Sequence, residues 1–305
     1  MNRKVNLVGK NTLTVSLPNK WAKRLDIKKG DELKAIEENN CLILSTEEVN
    51  RIKKADIYVK KPKRLVTRSL FNLYRKGVDE IKIKFDEAEV IKDIQKSMSL
   101  LMGFEISDQG KNFITLKSVM KIDSEEFNNT FRRLFLVTKS LAEDSYEAIK
   151  NKRYEELDGI SELEAIQNRY YMFCCRVINV KDKAMFEFPT LMYLLTQRLE
   201  DIADDYKYIC RYIIEDKINT KISEPVLKLY KRINEKFNLL YELYYKYDIE
   251  HAKKIALHKN ELIKEGLELL EKVPKKEIRI VHILNNLTVK IFEASSPIIG
   301  MNVEK

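Results

Sequence analysis

The chain has 305 residues, of which 34% are charged and 44% apolar, with only 8 Gly and 6 Pro. That composition suits long helices better than a Gly-rich sheet protein, in a chain long enough for two or three domains and a sizeable core. Residues 1–76 hold 19 Lys and Arg against 8 Asp and Glu, leaving 37 against 39 elsewhere, so a basic head rides on a near-neutral body.

Residues 3–46 read as strand, strand, helix, strand, strand. "KVNLV" and "TLTVSL" pair across the turn "GKN". Pro18 opens a short helix with Asn19 as its N-cap, and "IKKGDEL" turns out of it. "LKAIEE" and "CLILS" close the unit across "NN". About 45 residues without metal or disulfide cannot bury a core alone, so dimerisation is expected to complete it. The basic surplus points to a polyanion held by this head, a solvated Lys-rich surface being the plainer alternative.

Residues 55–119 read as a second α/β unit. "DIYVK" is a strand, "RLVTRSLFNLYRKG" a helix ending at Gly77, and "DEIKIKF" a strand. "AEVIKDIQKSMSLL" is a helix, and "FEIS" with "NFITLKSV" form a hairpin around Gly110. No catalytic signature falls here, and spacing or dimer contact is the expected task.

From about Ser124 the period becomes helical. Phe127, Phe131, Leu134, Thr138, Leu141, Ser145 and Ile149 recur at three- and four-residue steps on one face. Breaks near Gly159, Pro189, Ser223–Pro225, Tyr247–Asp248 and Pro274 predict about six helices, as one antiparallel bundle or two fused three-helix bundles. A shift of 93 residues lays "KRYEEL" over "YKYDIE" and favours the fused pair.

Chemistry-bearing residues are few. On the helix from Ser161 the predicted stripe is Leu163, Ile166, Tyr170, Phe173 and Val177, leaving Glu164 and Asn168 four apart on another face. In "LTQRLEDIADDYKYI" the stripe is Leu195, Ile202, Tyr206 and Ile209, with Glu200 and Asp204 opposite. Carboxylates one turn apart on neighbouring helices suit a hard cation. The same residues also read as solvated surface, with Arg198 neutralising part of the charge and Glu164 completing a capping box with Ser161.

His251 and His258 share a face, but no HExxH pair exists among the three histidines. Cys41, Cys174, Cys175 and Cys210 match no zinc template and read as buried thiols in a reducing cytosol. With no P-loop, GxGxxG or GxSxG, an enzyme is not expected. No apolar run nears the roughly 18 residues of a membrane span and no signal-peptide pattern opens the chain, so a cytoplasmic protein without membrane insertion is expected.

Two stretches resemble known families. "RKVNLVGKNTLTVSLPNKWAKRLDIKKGDEL" resembles the AbrB-type swapped-hairpin DNA-binding domain, a fold that antitoxins share. The resemblance implies a barrel made by two interleaved chains, with Arg3, Lys4, Lys10, Lys20, Lys23 and Arg24 contacting double-stranded DNA. "RLEDIADDYKYI" is similar to the signature of PhoU, the phosphate-uptake regulator, through Leu199, Glu200, Ile202, Ala203 and Asp204. "AIQNRYYMFCCR" resembles the partner motif of archaeal-type members, with Arg169, Tyr171 and Arg176 in register.

That family can bind metal through Glu/Asp pairs in both repeats. The resemblance implies Glu164, Asn168, Glu200 and Asp204 as candidate ligands in the first repeat, and Glu261 with Glu265 in the second. Asn168 stands where the family has Asp, and Asn285, Asn286 and Lys290 stand where it has acids. The expected architecture is an α+β multidomain chain: an AbrB-like swapped-hairpin half over 1–48, an α/β spacer over 54–120 and a PhoU-like bundle over 124–298. The expected function is a dimeric DNA-binding regulator of phosphate uptake. The alternatives are an adaptor that contacts the ATPase subunit of a phosphate ABC transporter, and an antitoxin with a helical extension.

Overall fold

The computed structural model describes residues 2–38, 41–46, 52–60, 64–120, 124–180 and 185–303. The chain divides into two compact units, Met1–Ile52 and Lys53–Lys305.

The first unit holds two antiparallel hairpins. Strands β1 (Val5–Val8) and β2 (Thr12–Val15) pair with Val5 opposite Val15 and Leu7 opposite Leu13. The two-residue side-chain period therefore sets these four apolar residues on one hairpin face. Gly9, at φ +69°, supplies the left-handed residue of the turn between them. Helix α1 (Asn19–Arg24) follows, and then β3 (Leu33–Glu38) pairs with β4 (Cys41–Thr46). Asn19 is not the N-cap: it is the first helical residue, and Pro18 caps without a side-chain bond. The Pro18 carbonyl accepts from the Trp21 and Ala22 amides at 2.9 Å each, so an extended proline serves where a side-chain cap was expected. The expected turn "NN" lies outside the described residues.

Among the described residues of this unit no apolar side chain is buried. Val5, Leu7, Val8 and Leu13 are each more than half exposed. Two-stranded hairpins without a covered apolar face are marginal in water.

The second unit opens with a four-stranded sheet of order β5-β6-β8-β7. Its strands are β5 (Lys54–Val59), β6 (Glu80–Phe85), β7 (Phe104–Gln109) and β8 (Phe113–Ser118). Helix α2 (Arg64–Arg75) crosses between the parallel strands β5 and β6, and α3 (Glu89–Met98) joins β6 to β7. Ile81, Ile83, Phe85, Ile114 and Leu116 are buried in one core with Leu70 and Tyr74 of α2 and Ile94 of α3.

Gly77 ends α2 at φ +85°, and a Cβ there would lie 2.4 Å from Val180 Cγ2. Both the backbone and the space require glycine. Gly77→Ala is expected to cost about 2 kcal/mol or more, read as a lower denaturant midpoint at an unchanged slope.

The helical residues are α4 (Ser124–Lys150), α5 (Leu157–Ser161), α6 (Leu163–Val180), α7 (Pro189–Glu215), α8 (Glu224–Tyr245), α9 (Ile249–Leu270) and α10 (Lys275–Gly300). Proline stands in the first turn of α7 and α8, and Asp248 caps α9 by accepting from the Glu250 amide at 2.9 Å. Helix α4 packs on α6 and α7, and α8 on α9 and α10; α7 meets α10 and α4 meets α8 across the two halves. A buried polar chain ties that junction. Tyr206 donates to Asn234 at 2.9 Å, Asn234 donates to the Ala142 carbonyl at 2.8 Å, and the Ser145 and Tyr230 hydroxyls lie 2.7 Å apart.

The predicted faces of α4 and α7 are buried throughout. On α6 the stripe differs: Ile166 is exposed, while Gln167, Tyr171, Cys174, Cys175 and Arg176 are buried. The last turns of α6 are covered by α4, α7 and α2 together, so no polar stripe remains there. The Ser161 capping box does not form either. Ser161 ends α5 and its hydroxyl donates to the Asp158 carbonyl at 2.9 Å. Cys174, Cys175 and Cys210 are free, buried thiols, and the side chain of Cys41 lies outside the described ones. Among the described residues no helix is long and apolar enough to cross a membrane.

Candidate functional site

The basic head presents all six candidate side chains on its surface. Arg3, Lys4 and Lys10 flank or follow β1, and Lys20, Lys23 and Arg24 belong to α1; each is exposed. Lys23 and Arg24 occupy the last turn of α1, where positive charge also complements the helix dipole. Nearby Lys28 pairs with Asp26 at 3.1 Å. The charge suits a phosphate backbone, which is bound by exposed, mobile cations rather than by a cavity.

The carboxylate residues of α6 and α7 do meet. Asn168 donates to Glu164 Oε1 at 2.6 Å, and Lys207 Nζ lies 2.7 Å from the same oxygen. Lys207 also lies 3.2 Å from Asp204 Oδ1, bridging the two helices. Glu200 accepts from Gln197 Nε2 at 2.8 Å, and Gln197 Oε1 accepts from Tyr171 at 2.7 Å. Tyr171 in turn accepts from Arg75 of α2 at 2.6 Å. One polar chain therefore runs from α2 to the acidic residues.

Burial pushes the Glu200 carboxyl up to about 7, with Asp204, Asp201 and Glu164 adding to it. Burial also raises Glu164, against the pull of Lys207. For Lys207 burial favours the neutral amine, yet Glu164 and Asp204 outweigh it and the ammonium is held more firmly than usual. The donor set in this arrangement does not fit a divalent ion. An ammonium already sits between the two helices, and the nearest carboxylate oxygen accepts from two donors. Among the described residues no group of three or more His, Cys, Asp or Glu side chains could hold a metal ion.

Cations also pair with the acidic residues of the later helices. Arg232 of α8 bonds Glu265 and lies 3.7 Å from Glu261. Lys290 of α10 pairs with Asp205 of α7 at 2.8 Å and donates to the Asp201 carbonyl at 2.9 Å. Asn286 is exposed, while Asn285 packs where Gly266 leaves room on α9. Arg198 does not neutralise Glu200 or Asp204; it pairs with Asp201 at 3.3 Å and Glu293 at 3.0 Å. His251 Nε2 lies 3.8 Å from Glu242, and the Nδ1 atoms of His251 and His258 are buried without a partner. His282 is exposed.

Sequence reasoning missed Lys207 and Arg75. Lys207 was legible as the residue three beyond Asp204 on the same helix face. Arg75 reaches Tyr171 across 96 residues of chain, which no local pattern encodes.

Residues 7–52 match the family described as "Antidote-toxin recognition MazE, bacterial antitoxin". Among solved structures, the chain is similar to the phosphate transport system regulatory protein PhoU from Streptococcus pneumoniae. The TM-score is 0.48 at 16% identity, covering 60% of this chain and 96% of that chain. No curated protein matches the chain.

Proposed function

We propose that the chain is a cytoplasmic, dimeric, DNA-binding regulator of phosphate uptake. Residues 1–48 grip DNA, 54–120 space the head from the body, and 124–298 form a PhoU-like sensing and partner-binding body. One observation carries the reading. The first unit exposes six basic side chains, while its apolar hairpin residues lie uncovered and no core forms among its described residues. A second copy that interleaves its hairpins supplies the missing core and doubles the basic surface. The family match of residues 7–52 supports the same head, and the PhoU-like signature around Glu200 and Asp204 supports the body.

In this reading Lys207 is the body's own cation. A divalent ion reaches Glu164, Asn168, Glu200 and Asp204 only if that ammonium swings out, and the pairing of Arg232 sets the same condition for Glu261 and Glu265. A second reading keeps the dimer but makes the body an adaptor for the ATPase subunit of a phosphate ABC transporter; the compactness of Lys53–Lys305 as a unit of its own favours it.

DNA binding separates the two. Fragments upstream of phosphate-transport genes are expected to bind more tightly than random DNA, with affinity falling steeply as salt rises. Lys10→Glu and Arg24→Glu are each expected to weaken binding about tenfold and to flatten the salt slope by about one. Equal binding of promoter and random fragments sinks the regulator. An adaptor keeps its function in both variants.

A further inference from the structure

A groove in the second unit has the chemistry of a small-molecule site that neither the basic head nor the acidic cluster accounts for. It has two confluent parts. One, of about 390 Å³, is lined by Asn72, Arg75 and Lys76 of α2 with Asn179 of α6. The other, of about 600 Å³, is lined by Ile178, Pro189 and Leu194, with Thr190 and Gln197 at its polar edge. Tyr193 and Asn179 border both parts. Volumes of this size fit organic ligands of a few hundred daltons.

The first part is built for negative charge. Arg75 is held from two sides: Nη1 donates to the Tyr171 hydroxyl and Nη2 to Asn72 Oδ1, each at 2.6 Å. Asn179 Nδ2 donates to the Arg75 carbonyl at 2.9 Å and fixes the end of α2 against α6. A guanidinium has five N–H donors, so three remain for a ligand. No carboxylate among the described residues pairs with Arg75 or with the exposed Lys76 beside it. Glu200 feels Arg75 only at a distance, through Tyr171 and Gln197, so a half-buried, pre-oriented guanidinium with an adjacent ammonium and no directly paired carboxylate calls for an anion. Two cations and the carboxamides of Asn72 and Asn179 suit a dianionic head better than a single carboxylate.

The second part is apolar and lies beyond the Tyr193 ring, so the occupant is amphipathic: charged at one end, apolar at the other. We propose that this groove binds a small phosphate monoester carrying a flat apolar group, with the phosphate on Arg75 and Lys76 and the flat group in the apolar part that Tyr193 and Leu194 help line. Gln197 lines the apolar part and also holds Glu200, so an occupant would touch the polar chain that leads to the acidic cluster.

Calorimetric titration of the full-length protein with adenosine monophosphate tests the site. Binding at one site per chain is expected, with adenosine and inorganic phosphate each about tenfold weaker because each fills one part only. Lys76→Glu and Leu194→Asp alter exposed side chains, and each is expected to weaken binding about tenfold while leaving the circular dichroism spectrum unchanged. Lys10→Glu in the basic head is expected to leave it unaltered. Absence of binding, inorganic phosphate binding as well as the nucleotide, or binding that Lys76→Glu spares and Lys10→Glu abolishes would each overturn the proposal. None of these outcomes bears on DNA recognition by the head.

Discussion

Arg176→Met is expected to destabilise the second unit by about 3 kcal/mol, the cost of withdrawing a buried guanidinium from its three acceptors and two rings. Arg176 is 2% exposed. Its Nη1 donates to the carbonyls of Tyr74 at 3.0 Å and Val78 at 2.8 Å, and its Nη2 to Asp79 at 2.7 Å. The guanidinium carbon also stacks at 5.1 Å from the Tyr74 ring and 4.9 Å from the Phe104 ring. Asp79 continues the chain by accepting from the Lys53 amide at 3.0 Å. One side chain of α6 thus closes the corner where α2 turns into β6 and reaches the start of β5.

Methionine fills similar volume but donates nothing. It takes one donor each from the Val78 carbonyl, the Tyr74 carbonyl, which keeps the Gly77 amide, and Asp79, which keeps the Lys53 amide, and an acceptor left unmet costs about 1–3 kcal/mol. Arg176→Lys is expected to recover less than half the loss, because an ammonium on a single-pronged stem cannot span three acceptors in a plane. Arg169→Met, at an exposed position of the same helix, is the control and should be near neutral. A denaturant midpoint for Arg176→Met equal to that of the parent protein would refute the assignment.

Arg176 also shows what the sequence could and could not convey. The six long helices were legible because Pro189, Pro225, Asp248 and Pro274 punctuate them, and the face of α4 because one side of it alone meets the core. The exposed hairpins of the first unit were legible as a deficit: too little apolar surface for a core, a count that needs no coordinates. The stripe of α6 was misread because three elements cover its last turns, and a helix buried all round has no period to find. The pairing of Glu164 with Asn168 follows from their spacing. The ammonium between α6 and α7 does not, because which cation reaches a carboxylate depends on the neighbouring helix. Arg75 and Arg176, which join α2 and its corner to α6 and α7, act across about a hundred residues of chain and leave no local trace.

Glu200→Gln is expected to stabilise the protein at pH 8 and to do little at pH 4.5. The Glu200 carboxyl is held up to about 7 from its ordinary 4.5, first by burial and then by Asp204 and Asp201 of its own helix and Glu164 of α6. Arg75 of α2 opposes the rise, and Lys207 spends its charge on Glu164 and Asp204. Between these two values the folded protein keeps a proton that the unfolded chain has released. Stability therefore falls as pH rises through this window, and the full penalty remains above pH 7. It is on the order of 2–3 kcal/mol for a group that is mostly buried but still touches solvent. Glutamine keeps the oxygen that accepts from Gln197 and never ionises, so it lifts the penalty without opening a cavity. Thermal melts of EDTA-treated protein across pH 4.5–8 should show the variant pulling ahead of its parent by about 5 °C at the alkaline end. Two parallel melting curves across that range would mean that Glu200 is already ionised in the folded protein, with a counter-charge that the cluster of Lys207, Glu164 and Asp204 does not supply.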